Sequence, residues 1–510
     1  MARSVPPQSW SDEAPLVPDI PAAVRRGTLA VVGAQVATQV ISLVVLAVLY
    51  RRIGPEPFGY MGMAVPLILI LRVFASFGLN VATVQRPGLS RDELDSLFWT
   101  QLICGGLTFV LTAACAPLLA TVYRVAELMP IVLALSATTL LVSLATQHQA
   151  LMERRMRITQ LALLRLAAQL MGGIAAMVTA YAGWGVWALV SQQYVELAVI
   201  LAFAWAFEPW RPRRPGPIGS IGKLLTFGGY WTASSLILAL GQNADKFLLA
   251  VWVAASPTGL STVGMYTQAF QLMMKPVYLV TTPISGIMLP ALARVAAQRA
   301  MYQSFLVSFY RMVTIVLLPC SVGLAVVAGD VMQVLGGDTW SPAGLILTLL
   351  APAILAQGFV NLLGTVFASA GRNDRLLRAS VVVTCILGAG HLIGIWLGSA
   401  YGPPGIGPAT GLAIAYSVLL LGIVYPYTAY AWKSVDVELH VLITALRGPL
   451  LAACVMGLTV VGLRLALSCV PACSPIWRLG ILVLSGTAIY VCLAFKELAW
   501  LKRQMVRASA

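Results

Sequence analysis

Long apolar runs separated by short polar or basic turns recur across residues 28–495. Crossing ~30 Å of hydrocarbon takes about 20 such residues in a helix. The runs predict helices near 28–50, 57–83, 95–122, 128–151, 158–182 and 184–206. After a basic loop they predict 224–254, 259–289, 303–328, 341–370, 375–398 and 407–431, then two more near 445–463 and 479–495. The expected fold is an all-α polytopic membrane protein with about fourteen transmembrane helices. The sequence lacks the ~10-residue alternating segments of a membrane β-barrel.

Two parts of this pattern resemble each other. Helices four to six pass through QALMERRMRITQ and GWGVWALV; helices ten to twelve pass through FASAGRNDRLLR and GPATGLAIAY. Each is a span, a tight basic turn, a span, a Gly-rich turn and a span. Repeats of six helices preserve direction, an arrangement found in alternating-access transporters. The expected organisation is a polar tail (1–27), a six-helix bundle (28–206), a basic linker (207–223), a second bundle (224–431), and two further helices with a basic tail (432–510).

Composition agrees with the pattern: 59% of residues are hydrophobic, 10% are charged and mean hydropathy is +0.87. A net charge of +15 raises nucleic acid as a partner. The expected topology explains it differently. It puts 23 Lys and Arg on the cytoplasmic side, 5 outside and 5 within spans. That is the positive-inside bias, with both termini cytoplasmic, and no nucleic-acid partner is expected. No short apolar core with a cleavage site precedes the first span, so that helix is expected to direct insertion. Most of the eight cysteines lie in apolar helices; only Cys469 and Cys473 share a loop, which leaves a disulfide there open. No cofactor or metal spacing is present.

Candidate chemistry begins at 227–252, an apolar stretch that carries Gln242, Asn243, Asp245 and Lys246. Ionisable groups inside a span usually face a bundle interior or a water-filled cavity. The full intramembrane set is Arg72, Arg165, Lys246, Lys275 and Arg311 against Glu196 and Asp245, a net charge suited to an anionic headgroup. At ~1.5 Å per residue, Arg72 and Lys275 lie about 22 and 24 Å along their helices, too deep for easy snorkelling. Arg165 and Arg311 lie about 10–12 Å from cytoplasmic helix starts, where snorkelling competes with substrate binding. Asp245 lies about 31 Å along its helix, in the outer half, and Lys246, pointing about 100° away, is expected to snorkel outward. Glu196 or Asp245 is expected to take up a coupling H⁺ or Na⁺, with a structural ion pair as the alternative. Gln192 with Glu196, and Gln357 with Asn361, are four apart and share helix faces. These amides, with Gln242, Asn243, Gln268 and Gln271, either line a sugar path or bond helix to helix. His148 reads as interfacial.

The motifs RIGPEPFG (52–59), FGL (77–79), VQR (84–86), LFW (97–99), QHQAL (147–151) and GVWALV (185–190) resemble the Wzx-type polysaccharide flippases. The likeness is to their colanic-acid-exporter-like subgroup. Asn243 with Asp245, Gly264 with Tyr266, Pro276 and Pro290 fit the same pattern, and the resemblance covers about residues 25–435. It implies the fold of the multidrug/oligosaccharidyl-lipid/polysaccharide exporter superfamily, with two six-helix bundles around a central cavity. It also implies movement of an undecaprenyl-diphosphate-linked oligosaccharide from the cytoplasmic to the outer leaflet of the bacterial inner membrane. An ion-coupled cycle, and the polymerase and export machinery of the pathway as partners, are separate expectations. Three alternatives stand beside it. A glycosyltransferase or polymerase would need acid/base residues on sizeable outer loops. A drug exporter of the superfamily would need an acidic cavity. A peptidoglycan-precursor exporter would share the diphosphate.

Overall fold

The computed structural model describes residues 20–86, 88–214, 222–295, 298–435, 437, 440–468, 474–495 and 497–500. Cys469 and Cys473, most of the two tails and part of the basic linker lie outside them. Sixteen α-helices are found among the described residues. In chain order, α1 (Ile20–Ile53), α2 (Glu56–Ser76), α3 (Leu79–Gln85), α4 (Arg91–Val122), α5 (Leu128–Arg154), α6 (Ile158–Tyr181) and α7 (Trp187–Phe207) come first. They are followed by α8 (Gly222–Val253), α9 (Gly259–Arg294), α10 (Arg299–Gly336), α11 (Ser341–Leu350), α12 (Ala353–Ser369), α13 (Asn373–Tyr401), α14 (Gly407–Lys433), α15 (His440–Ser468) and α16 (Pro475–Leu493). Thirteen are long and apolar enough to span a membrane, or fourteen if the bent α11–α12 pair forms one span.

Two expected helices are broken. The run at 57–83 divides because Phe77 and Gly78 take φ of +46° and +62°, which ends α2 and starts the short α3. The run at 341–370 bends by 58° between α11 and α12. Pro352 at the bend has no N–H, and its ring crowds the carbonyl of Thr348.

The described chain separates into two compact units. The first contains residues up to Ile53 and Tyr60–Asn243; the second contains Gly54–Gly59 and everything from Ala244, so the division falls within α8. In the first unit, α1 packs on α6, α4 on α5, and α6 on α7. Small residues allow the close approaches: a Cβ added at Gly105 of α4 would meet the Ser143 hydroxyl of α5 at 2.0 Å.

In the second unit the tightest pair is α13 with α14. A Cβ at Gly398 would lie 2.1 Å from the carbonyl oxygen of Gly407, and one at Gly411 would lie 2.0 Å from that of Gly394. The turn Gly54–Gly59 is seated in the same unit. Phe58 meets Trp340 edge-on at 5.5 Å, and a Cβ at Gly264 of α9 would lie 2.2 Å from the Pro55 carbonyl oxygen. The last two helices pack on α10 around an apolar cluster of Leu318, Val327, Ala453, Met456, Val460, Leu482 and Tyr490.

Candidate functional site

The second unit holds a connected buried polar network. Asp245 and Lys246 of α8 are 2% and 8% exposed, and the ammonium lies 3.2 Å from the carboxylate. Tyr266 of α9 donates its hydroxyl to Asp245 Oδ2 at 2.9 Å. One turn on, the Phe270 ring lies 4.1 Å beneath Lys246 Nζ, a cation–π contact in a desolvated setting. Lys246 therefore does not snorkel outward. Its flexible stem folds back because a carboxylate and an aromatic face await it inside the unit.

The network continues through Tyr416 of α14, which meets Phe270 edge-on at 5.3 Å and donates to Gln357 Oε1 at 2.8 Å. Gln357 of α12 bonds Asn361 at 3.0 Å, as their spacing predicts, and Asn361 reaches the Thr281 hydroxyl of α9 at 3.4 Å. His391 of α13 stacks on Tyr416 at 6.0 Å; both its ring nitrogens are buried without a hydrogen-bond partner among the described residues. Sequence reasoning missed His391, Phe270 and Tyr416. An ionisable residue in the apolar run CILGAGHLIGIW was a readable signal for the first.

Lys275 is half-buried on α9, one turn beyond the exposed Gln271, while Gln268 is buried. Gln242 is exposed on α8, and Asn243 returns its amide to the carbonyl of Ala239 at 2.9 Å.

In the first unit Arg72 stands apart. It lies on α2 among apolar residues, its Nε is buried with no hydrogen-bond partner, and it forms no ion pair among the described residues. Even a partly buried guanidinium is costly unless something supplies acceptors. Glu196 of α7 accepts from Gln192 at 3.0 Å and lies against α6, where a Cβ on Gly172 would come 2.3 Å from its Cγ.

The other two arginines are engaged elsewhere. Arg165 faces Glu153 at 3.7 Å, with both side chains largely in the open. Arg311 of α10 donates from Nε to Glu497 at 2.9 Å and lies 4.3 Å over the Trp500 ring. Near the other end of α10, buried Asp330 takes Arg464 and Arg478, from α15 and α16. Tyr490 of α16 donates to the carbonyl of Ile315 at 2.9 Å. Arg311 thus belongs to a pair of ionic clasps holding the last two helices on α10.

His148, near the end of α5, is fully buried among aromatic side chains. Its ring stacks on Trp205 at 4.4 Å and meets Phe98 and Trp210 edge-on. The first residues of the expected linker close this box: buried Glu208 pairs with Arg155 at 2.9 Å, and Trp99 donates to the Arg213 carbonyl at 2.6 Å. Residues 208–214 are therefore packed into the first unit.

The sequence model of a family described as "Polysaccharide biosynthesis protein" matches residues 48–345. Lipopolysaccharide biosynthesis protein WzxC of Escherichia coli (strain K12) is 24% identical over 71% of this chain and 73% of its own. Teichuronic acid biosynthesis protein TuaB of Bacillus subtilis (strain 168) is 21% identical over 86% and 88%. Among solved structures, lipid II flippase MurJ in an inward closed conformation superposes with a TM-score of 0.68 at 13% identity. That match covers 94% of this chain and 99% of MurJ, and it shows a shared fold.

Proposed function

The chain belongs to the polysaccharide biosynthesis protein family, and from that premise we propose that it flips an undecaprenyl-diphosphate-linked oligosaccharide across the bacterial inner membrane. It does so as a transporter without covalent chemistry, with both termini in the cytoplasm, as the distribution of 23 inner and 5 outer Lys and Arg supports. The observation that carries the reading is Arg72. A guanidinium on an apolar helix, one turn before the break at Phe77–Gly78 and with no ion pair among the described residues, offers its planar fork to two phosphate oxygens. Lys275 is the second phosphate contact, a compact point charge on a helix rich in polar groups. Gln192, Gln242, Asn243, Gln357 and Asn361 are assigned to sugar binding.

Coupling to an ion gradient falls to Glu196 before Asp245. Asp245 already has an ammonium and a phenol, whereas Glu196 has only the Gln192 amide as a partner among the described residues. Arg165 and Arg311 drop out of the binding set because they hold Glu153 and Glu497. Deleting the gene tests the whole reading. The lipid-linked oligosaccharide should accumulate unexported, and intact surface polysaccharide with unchanged lipid-linked pools would refute it.

A further inference from the structure

Helix α9 carries a polar stripe that runs on either side of the Lys275 phosphate contact. Gln271, Lys275, Tyr278, Thr282 and Ser285 recur at intervals of four, three, four and three residues. At 100° per residue they fall within about 80° of the helix circumference and extend for about 21 Å. Gln271 and Thr282 are exposed, Tyr278 is 53% exposed, and Ser285 is half-exposed. None of these four makes a hydrogen bond among the described residues. Thr281, on the neighbouring buried face, donates to the Val277 carbonyl at 2.9 Å.

A stripe with Gln and Lys turned to lipid would cost several kcal/mol, so it faces water or a polar ligand. Beside it, a Cβ on Gly286 would meet nothing within 4 Å, which leaves the face open. Pro276, Pro283 and Pro290 recur every seven residues along the same helix. Each lacks an N–H, so the carbonyls of Leu272, Leu279 and Gly286 lose their usual helical donor. Helix α2, which carries Arg72, has no such stripe; its outward residues include Met61, Val65, Leu69 and Phe74.

We infer that this face of α9 is a carbohydrate rail: Gln271, Thr282 and Ser285 exchange hydrogen bonds with sugar hydroxyls, and the Tyr278 ring stacks on a sugar face. Sugars match this surface in two ways. Their hydroxyls both donate and accept, as do the stripe's hydroxyl and amide groups. Their C–H faces carry partial positive charge that the electron-rich face of Tyr278 attracts. Lys275 sits within the rail, so a diphosphate held there places the attached sugars along it. The inference rests on the flippase reading and deepens it by assigning the glycan part of the cargo.

The test uses the full chain in lipid nanodiscs and two probes. One is undecaprenyl diphosphate without sugar; the other is the undecaprenyl-diphosphate-linked oligosaccharide extracted from cells lacking the gene. Tyr278→Ala and the Thr282→Val/Ser285→Ala pair should each weaken binding of the sugar-bearing lipid about tenfold and leave the bare diphosphate unchanged. Tyr278→Phe should keep most of the affinity, and Lys275→Gln should weaken both probes. Single cysteines at 282 and 285, in a background without native cysteines, should react with a membrane-impermeant thiol reagent, and one at Leu458 on α15 should not. Equal binding of the sugar-bearing lipid by wild type and the Tyr278 and Thr282/Ser285 variants overturns the rail, as does failure of 282 and 285 to label. If the wild-type chain binds neither probe, the flippase reading itself falls.

Discussion

The Lys246 ammonium lies 3.2 Å from the carboxylate of Asp245, its neighbour in the chain, and both side chains are buried. Removing one partner strands a buried charge, at a cost of ~3–5 kcal/mol. Asp245→Asn and Lys246→Met should therefore each lower the unfolding temperature in detergent. The double variant should recover most of the loss. If export stays absent in the recovered double variant, the pair serves transport as well as stability.

Arg72 should behave in the opposite way. Having no ion pair to lose among the described residues, Arg72→Gln should leave thermal stability unchanged or raise it. Charge-assisted hydrogen bonds are worth ~1.5–3 kcal/mol each, so affinity for undecaprenyl diphosphate should fall roughly ten- to a hundredfold. Arg72→Lys should recover only part, because an ammonium cannot present the two-pronged contact. Binding measured in nanodiscs, alongside a thermal melt, checks both.

The clasp between Arg311 and Glu497 predicts a coupling energy of ~1 kcal/mol in a double-mutant cycle, given its partial exposure. Exchanging the two as Arg311→Glu with Glu497→Arg should restore stability and keep polysaccharide export. A substrate-binding Arg311 would not tolerate the exchange.

Gly264→Ala places a methyl group 2.2 Å from the carbonyl oxygen of Pro55. Overpacking of this kind costs ~1–3 kcal/mol. The turn Gly54–Gly59 should lift, and a cysteine at Phe58, only 3% exposed now, should become reactive to a water-soluble thiol reagent.

Much of this architecture was legible from apolar run length, which is a direct reading of bilayer thickness. The breaks were not. Pro66, Pro117 and Pro319 lie inside continuous helices while Pro352 sits at a 58° bend, so the same residue type gives both outcomes and packing decides between them. Gln357 with Asn361 followed from spacing alone. Lys246 did not, because an angle drawn at the helix surface ignores how far a four-carbon stem can curl. Arg311 was placed by depth, but its partner lies on the far side of α15 and α16 in sequence, beyond any local rule.

The turn Gly54–Gly59 also bears on how the protein is made. Its seat on Gly264 and Trp340 is synthesised long after the turn itself. The nascent chain therefore carries a piece of its second unit in its first hairpin, and although N-terminal segments emerge and fold first, this turn must wait for its seat. A gene divided within 207–223 and expressed as two fragments would give a C-terminal polypeptide with an empty socket. Reassembly would depend on the N-terminal fragment bringing the missing turn.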